Sequence, residues 1–114
     1  MVTPTAGSVV LIPFPFSDLS NTKLRPAIVL VSVQRNDWIL CQVTSKVYAD
    51  AKAIVIVEQD FAAGSLQLIS YARPGKLFTA NQGLLVSEAG RLKSEPFARI
   101  INAVISLLQS AITK

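Results

Sequence analysis

No histidine occurs in the 114 residues, and Cys41 is the only cysteine. These absences exclude a Ser-His-Asp triad, imidazole acid–base chemistry and zinc sites, and they leave neither an intrachain disulfide nor a thiolate cluster. Carboxylates are scarce, seven against eleven Lys and Arg. Asp18, Asp37, Asp50, Glu58 and Asp60 fall into no metal-ligand spacing, which disfavours a metal-dependent nuclease; no cofactor is expected. Long apolar runs are missing too. The uncharged stretch Ile100–Thr113 is shorter than the roughly 20 apolar residues that cross a bilayer. The N-terminus lacks a basic leader region, and Pro4, Pro13 and Pro15 interrupt its apolar part, so a cytoplasmic location is expected.

What is present describes one compact domain over residues 1–114. Hydrophobic residues make up 51% and charged residues only 16%, which supports a packed core rather than a disordered chain. The net charge of +4 and pI near 9.6 favour an anionic partner: nucleic acid, an acidic peptide or a membrane surface.

The first ninety residues read as short strands. "SVVLIPF" (Ser8–Phe14) is β-branched and apolar until its prolines, and "PAIVLVSV" (Pro26–Val33) is the continuous apolar run of a buried strand. "WILCQVTS" (Trp38–Ser45) follows the turn-like "QRND", predicting an antiparallel hairpin, and "AIVIV" (Ala53–Val57) makes a fourth strand. Two or three shorter strands are expected around Ser70–Thr79 and Gly83–Gly90, with Gly75 and Gly83 at turns or bulges. The period then changes. Phe97, Ile100, Ile101, Val104, Ile105, Leu108 and Ile112 recur at three- and four-residue spacing, one face of a helix for which Ser94 is the expected N-cap. Five to seven short strands and one C-terminal amphipathic helix predict a mainly β fold, a small barrel or strongly bent sheet with the helix packed on it.

Arg25 is the first candidate for chemistry. The following Pro26 holds Arg25 extended, and the polar stretch Ser17–Leu24 before it reads as a flexible loop. A guanidinium aimed from the mouth of a strand suits a phosphate; the plainer reading is a surface arginine closing a hairpin. Thr44 and Ser45 place two hydroxyls at the end of the neighbouring strand, where they either ligate a phosphate or merely terminate the strand. Period-two alternation puts Thr44 on the side of Gln42 and Leu40, opposite Ile39, Cys41 and Val43. In "YARPGKLF", Arg73 and Lys76 alternate with Tyr71 and Phe78. Cations among aromatics suit single-stranded RNA; the alternative is two core aromatics and a solvated turn.

Taken in order, "GSVVLIPFPFSDLSNTKLRPAIVL", "VTS", "SYARPGKLFT" and the closing helix resemble the MazF/PemK family of toxins from bacterial toxin–antitoxin pairs, from Gly7 to about Leu108. The likeness is to the branch with a short first loop carrying "PFPFSDLS". It implies an SH3-like β-barrel with a C-terminal helix, a homodimer, and a sequence-specific endoribonuclease that cuts single-stranded RNA without a metal. The catalytic arginine and threonine of such toxins fall on Arg25 and Thr44. Residues Pro15–Leu24 correspond to the loop that covers RNA, and Ser17, Lys23, Ser45, Lys46, Arg73 and Lys76 are the expected RNA contacts. The resemblance also implies an antitoxin with an acidic, extended segment as partner. Ser8 departs from the pattern, since many relatives carry an acidic residue after the glycine. No general base emerges from the sequence. Two alternatives on the same barrel are a non-enzymatic poison of DNA gyrase or nucleic-acid-binding module, and a homologue that retains only antitoxin binding.

Overall fold

The computed structural model describes residues 2–15, 22–46 and 50–113, the side chains of residues 14, 15 and 22 excepted. Seven strands run in chain order: β1 (Ser8–Pro15), β2 (Thr22–Ser32), β3 (Asp37–Thr44), β4 (Ile54–Ile56), β5 (Phe61–Gly64), β6 (Ser70–Asn81) and β7 (Ser87–Leu92). Helix α1 (Ser94–Gln109) closes the chain. The strands form one antiparallel, curled sheet in the order β4-β6-β3-β2-β1-β7-β5. This is the mainly β, half-barrel-plus-helix architecture that the sequence predicts.

Alternation along the central strands feeds two apolar layers. Val9, Ile28, Cys41, Val43 and Ala72 turn to the concave side, where Ile100 and Val104 of α1 cover them. Val10, Ala27, Val29 and Leu40 turn to the other side, partly roofed by Leu85 and flanked by Trp38 and Phe78. Burial on both faces is why β2 reads as a continuous apolar run instead of an alternating one. The β2–β3 hairpin turns through Arg35 (φ 60°) and Asn36 (φ 63°), with Asp37 N–H donating to Gln34 C=O. Two consecutive left-handed residues match the right-handed twist of the flanking strands.

Several boundaries differ from expectation. Strand β1 runs through its prolines to Pro15, because its pairing with β7 ends at Leu11 and Pro13 and Pro15 pair only with β2, an edge position that tolerates proline. Strand β2 begins at Thr22 rather than Pro26. The expected loop Pro15–Leu24 therefore shrinks at both ends, and its residues 16–21 lie outside the described residues. Two strands, β6 and β7, occupy the region where two or three shorter ones are expected, and β6 is longer than expected at 12 residues; β5 has no counterpart among the expected strands. Helix α1 has Lys93 as its N-cap, with no side-chain cap bond, so Ser94 is already helical; Ile112 lies beyond its end.

Candidate active site

The outer face of the sheet, away from α1, carries Thr44, in alternation with the inward Val43 and Cys41, and Arg25, in step with Ala27 and Val29. On β1 and β2, Arg25 stands opposite Ile12. The β2–β3 ladder runs through Val29–Leu40 and Ile28–Cys41 to Ala27–Gln42 and stops at Pro26, which has no N–H to give. Extended by two residues, that register would set Arg25 across from Thr44, and both line one cleft where the strands part. On its other side Thr44 pairs with Tyr71 of β6, and Tyr71 pairs with Val55 of β4. Directly opposed residues of antiparallel strands point to one face. Arg25, Thr44, Tyr71 and Val55 thus form a row across four strands: cation, hydroxyl, aromatic ring, apolar wall.

Where β2 and β3 part, a cleft of about 350 Å³ opens, lined by Arg25, Thr44 and, at its rim, Lys23, Ser45 and Lys46. Leu66 and Leu68, from the β5–β6 connection, form part of its apolar wall. Thr44 is only 5% exposed, and its Oγ1 accepts a hydrogen bond of 3.1 Å from the Lys46 N–H. A hydroxyl has one proton and two acceptor sites. With the backbone occupying one acceptor site, the Thr44 proton remains for a phosphoryl oxygen, beside a guanidinium fork suited to the same group.

A second cleft, of about 200 Å³, shares Thr44 and Lys46 with the first and adds Asp50, Ala53, Val55, Tyr71 and Arg73. Arg73 Nε donates to Asp50 Oδ2 at 3.0 Å, and the Lys52 N–H donates to Asp50 Oδ1 at 3.0 Å. These bonds, the guanidinium first, hold the Asp50 carboxyl below its ordinary value of 3.8. Lys76 lies elsewhere. It lines a third depression, of about 340 Å³, with Lys52, Arg73 and Leu107. The separation arises from a bulge: Cys41 pairs with Leu77 but Val43 with Ala72, so residues 73–76 stand against Gln42 alone. The Cys41 thiol, donating to the Arg73 C=O at 3.2 Å, ties that bulge to β3.

Of the expected contacts, Arg25, Thr44, Lys23, Ser45 and Lys46 meet in one cleft, Arg73 joins through the second, and Lys76 stands one depression further out. Ser17 lies outside the described residues. Of the turn or bulge expected at Gly75, residues 73–76 form the bulge, and the two flanking aromatics divide: Tyr71 lines a cleft, whereas Phe78 packs on the outer apolar layer. Ser8 is fully buried and its hydroxyl donates to the Glu88 carboxylate, so an acid stands beside it in space. Sequence reasoning had assigned no role to Asp50, Val55, Leu66 or Leu68, which come from separate segments and carry no shared motif.

The family model for the PemK-like, MazF-like toxin of type II toxin–antitoxin systems matches residues 5–108. The chain belongs to this family. Among curated proteins none matches the sequence. Solved structures repeat the MazF-like fold at low identity. An endoribonuclease in complex with its cognate antitoxin from a mycobacterial species superposes with a TM-score of 0.69 at 16% identity, over 95% of both chains. MazF from Deinococcus radiodurans gives 0.72 at 18%, over 95% of this chain and 98% of that one. A MazE–MazF complex from the same organism gives 0.73 at 16%, over 95% and 97%. At these identities the likeness carries the MazF-like fold and not the cleavage chemistry. No described helix of this chain is long and apolar enough to cross a membrane.

Proposed function

We propose that this MazF-family chain is a sequence-specific endoribonuclease toxin that cuts single-stranded messenger RNA in the cytoplasm and thereby halts translation. The observation that supports the reading is that Arg25 and Thr44 line one cleft just beyond the end of the β2–β3 ladder. The 2′-oxygen attacks the adjacent phosphorus and the bond to the 5′-oxygen breaks. This leaves a 2′,3′-cyclic phosphate and a 5′-hydroxyl. The 2′ proton passes to water, and the departing oxygen takes one up. Arg25 stabilises charge on the phosphoryl oxygens, and Thr44 donates to a non-bridging oxygen, so the step needs no metal ion. Ser17, Lys23, Ser45, Lys46 and Arg73 hold the flanking RNA, with Lys76 beyond them.

The same reading makes the toxin a homodimer and gives it an antitoxin whose acidic, extended segment folds onto the basic clefts. The antitoxin-bound mycobacterial endoribonuclease and the MazE–MazF complex, which share the fold, support that assignment. The test is sequencing of RNA ends produced by purified protein. Arg25→Ala and Thr44→Ala are each expected to slow cleavage by roughly 10²–10³-fold, the usual loss when one donor to a developing oxyanion is removed, with circular dichroism unchanged. Intact RNA with wild-type protein, above all with broken DNA in cells, would overturn the reading.

A further inference from the structure

We propose that the cleft between β3, β6 and β4 is a nucleobase subsite, with Asp50, held in place by Arg73, as the acceptor that reads an exocyclic amino group. It takes the base next to the phosphate held by Arg25 and Thr44, and so rests on the ribonuclease reading. Three observations carry it.

The first is adjacency. Thr44 and Lys46 line both clefts, so among the described residues the two clefts adjoin, and a base one nucleotide from the reacting phosphate lies within reach of the second. Tyr71 is the direct cross-strand partner of Thr44, and neighbouring strands are about 4.8 Å apart. The second is the lining. Tyr71 offers an aromatic surface, and Val55 and Ala53 complete an apolar wall. A base leaving the stack seeks such a surface, and stacking on an aromatic ring adds to its affinity in single-stranded sites.

The third is polar chemistry at the rim. Asp50 accepts one hydrogen bond on each oxygen, from Arg73 Nε and the Lys52 N–H. An ionised carboxylate has about four acceptor sites and no donor, so each oxygen retains capacity for another N–H. The carboxylate is fixed in orientation, since an intended partner on β6 and its own turn hold both oxygens. Adenine, cytosine and guanine each present an amino group to such an acceptor, as cytosine N4 does to Asp or Glu in DNA. Uracil has a ring N–H and two carbonyls, and those carbonyls meet the carboxylate unfavourably. The subsite therefore selects an amino-bearing base and rejects uracil.

The experiment has a cleavage arm and a binding arm. In the first, an RNA library randomised around the cut is digested by wild type and by Asp50→Asn, and each position's base profile is normalised to total cleavage. Uracil is expected to be disfavoured about tenfold at one position flanking the cut, and Asp50→Asn is expected to remove that bias while other positions keep theirs. A wild-type profile indifferent to uracil at the flanking positions, or an unaltered bias in Asp50→Asn, overturns the proposal. The binding arm uses cleavage-impaired Arg25→Ala and fluorescent oligonucleotides that differ only in that base. Adding Tyr71→Ala is expected to weaken binding tenfold or more and to erase the discrimination; equal discrimination with and without Tyr71 overturns the subsite. If wild type cuts no RNA, the ribonuclease reading falls, and the binding arm decides the subsite separately.

Discussion

Cys41 shows how one buried group reports on the fold. It is fully buried, and loss of solvation pushes its thiol up from 9.0 to about 11. In the unfolded chain the thiol ionises near its ordinary value, while the folded protein keeps the proton. The unfolded state then binds fewer protons, so stability falls as pH rises from 9 to 11. A two-unit difference corresponds to at most about 2–3 kcal/mol. Urea unfolding across that range should show the loss in wild type and a flatter profile in Cys41→Ala, whatever the variant's starting stability. Asp50 acts in the opposite direction. Its lowered carboxyl stabilises the fold above pH 3.8, and that contribution disappears as pH falls below it.

Residue by residue, the sequence was informative where chemistry and register coincide. Arg25 and Thr44 stood out as a cation before a proline and a hydroxyl at a strand end, and both line one cleft beyond the end of the β2–β3 ladder. Arg73 and Lys76 share one depression, as one basic cluster should, but only Arg73 also reaches the cleft of Tyr71. Asp50 was legible only as a carboxylate without metal-ligand spacing. Its partner Arg73 is 23 positions away, a contact that no local pattern encodes.

Among the elements, β5 is the least legible and the most constrained. "FAAG" lacks the β-branched residues that mark strands, yet it pairs with β7, Gly64 opposite Gly90. A Cβ on Gly64, whose φ is +69°, would lie 2.2 Å from the Ala89 carbonyl oxygen; one on Gly90 would lie 2.6 Å from that of Ala63. Two glycines let these backbones approach, and neither announces it in sequence. Gly64→Ala should cost more than about 2 kcal/mol, from left-handed strain together with backbone overlap. Thermal unfolding would measure the loss, and hydrogen exchange should localise it to β5 and β7. Because the β5–β6 connection brings Leu66 and Leu68 to the cleft of Arg25 and Thr44, the proposed function predicts that the same variant raises KM for RNA. The helix was far easier to read, since its three- and four-residue period survives any tertiary context. Ile100, fully buried beneath the sheet, should cost about 2–5 kcal/mol when replaced by alanine.

At the scale of the whole molecule, charge and shape act together. Lys23, Arg25, Lys46 and Arg73 lie along two connected clefts, against a net charge of +4 for the chain. If each neutralises one phosphate, the logarithm of RNA affinity should fall with the logarithm of salt concentration at a slope of about −3. Lys46→Ala should make that slope shallower by roughly 0.7, and fluorescence anisotropy across a salt series would check both values. The mainly β, helix-capped architecture followed from the change of period after residue 94. The curl of the sheet and its strand order did not, because they depend on pairings between segments far apart in the chain.

The row Arg25–Thr44–Tyr71–Val55 draws on four strands, and each contributes through its register. A slip of one residue between any two of them would turn a member toward α1 and out of the row. On the proposed ribonuclease reading, cleavage therefore works as a proofreader of assembly: chains whose strands pair out of step would cut no RNA.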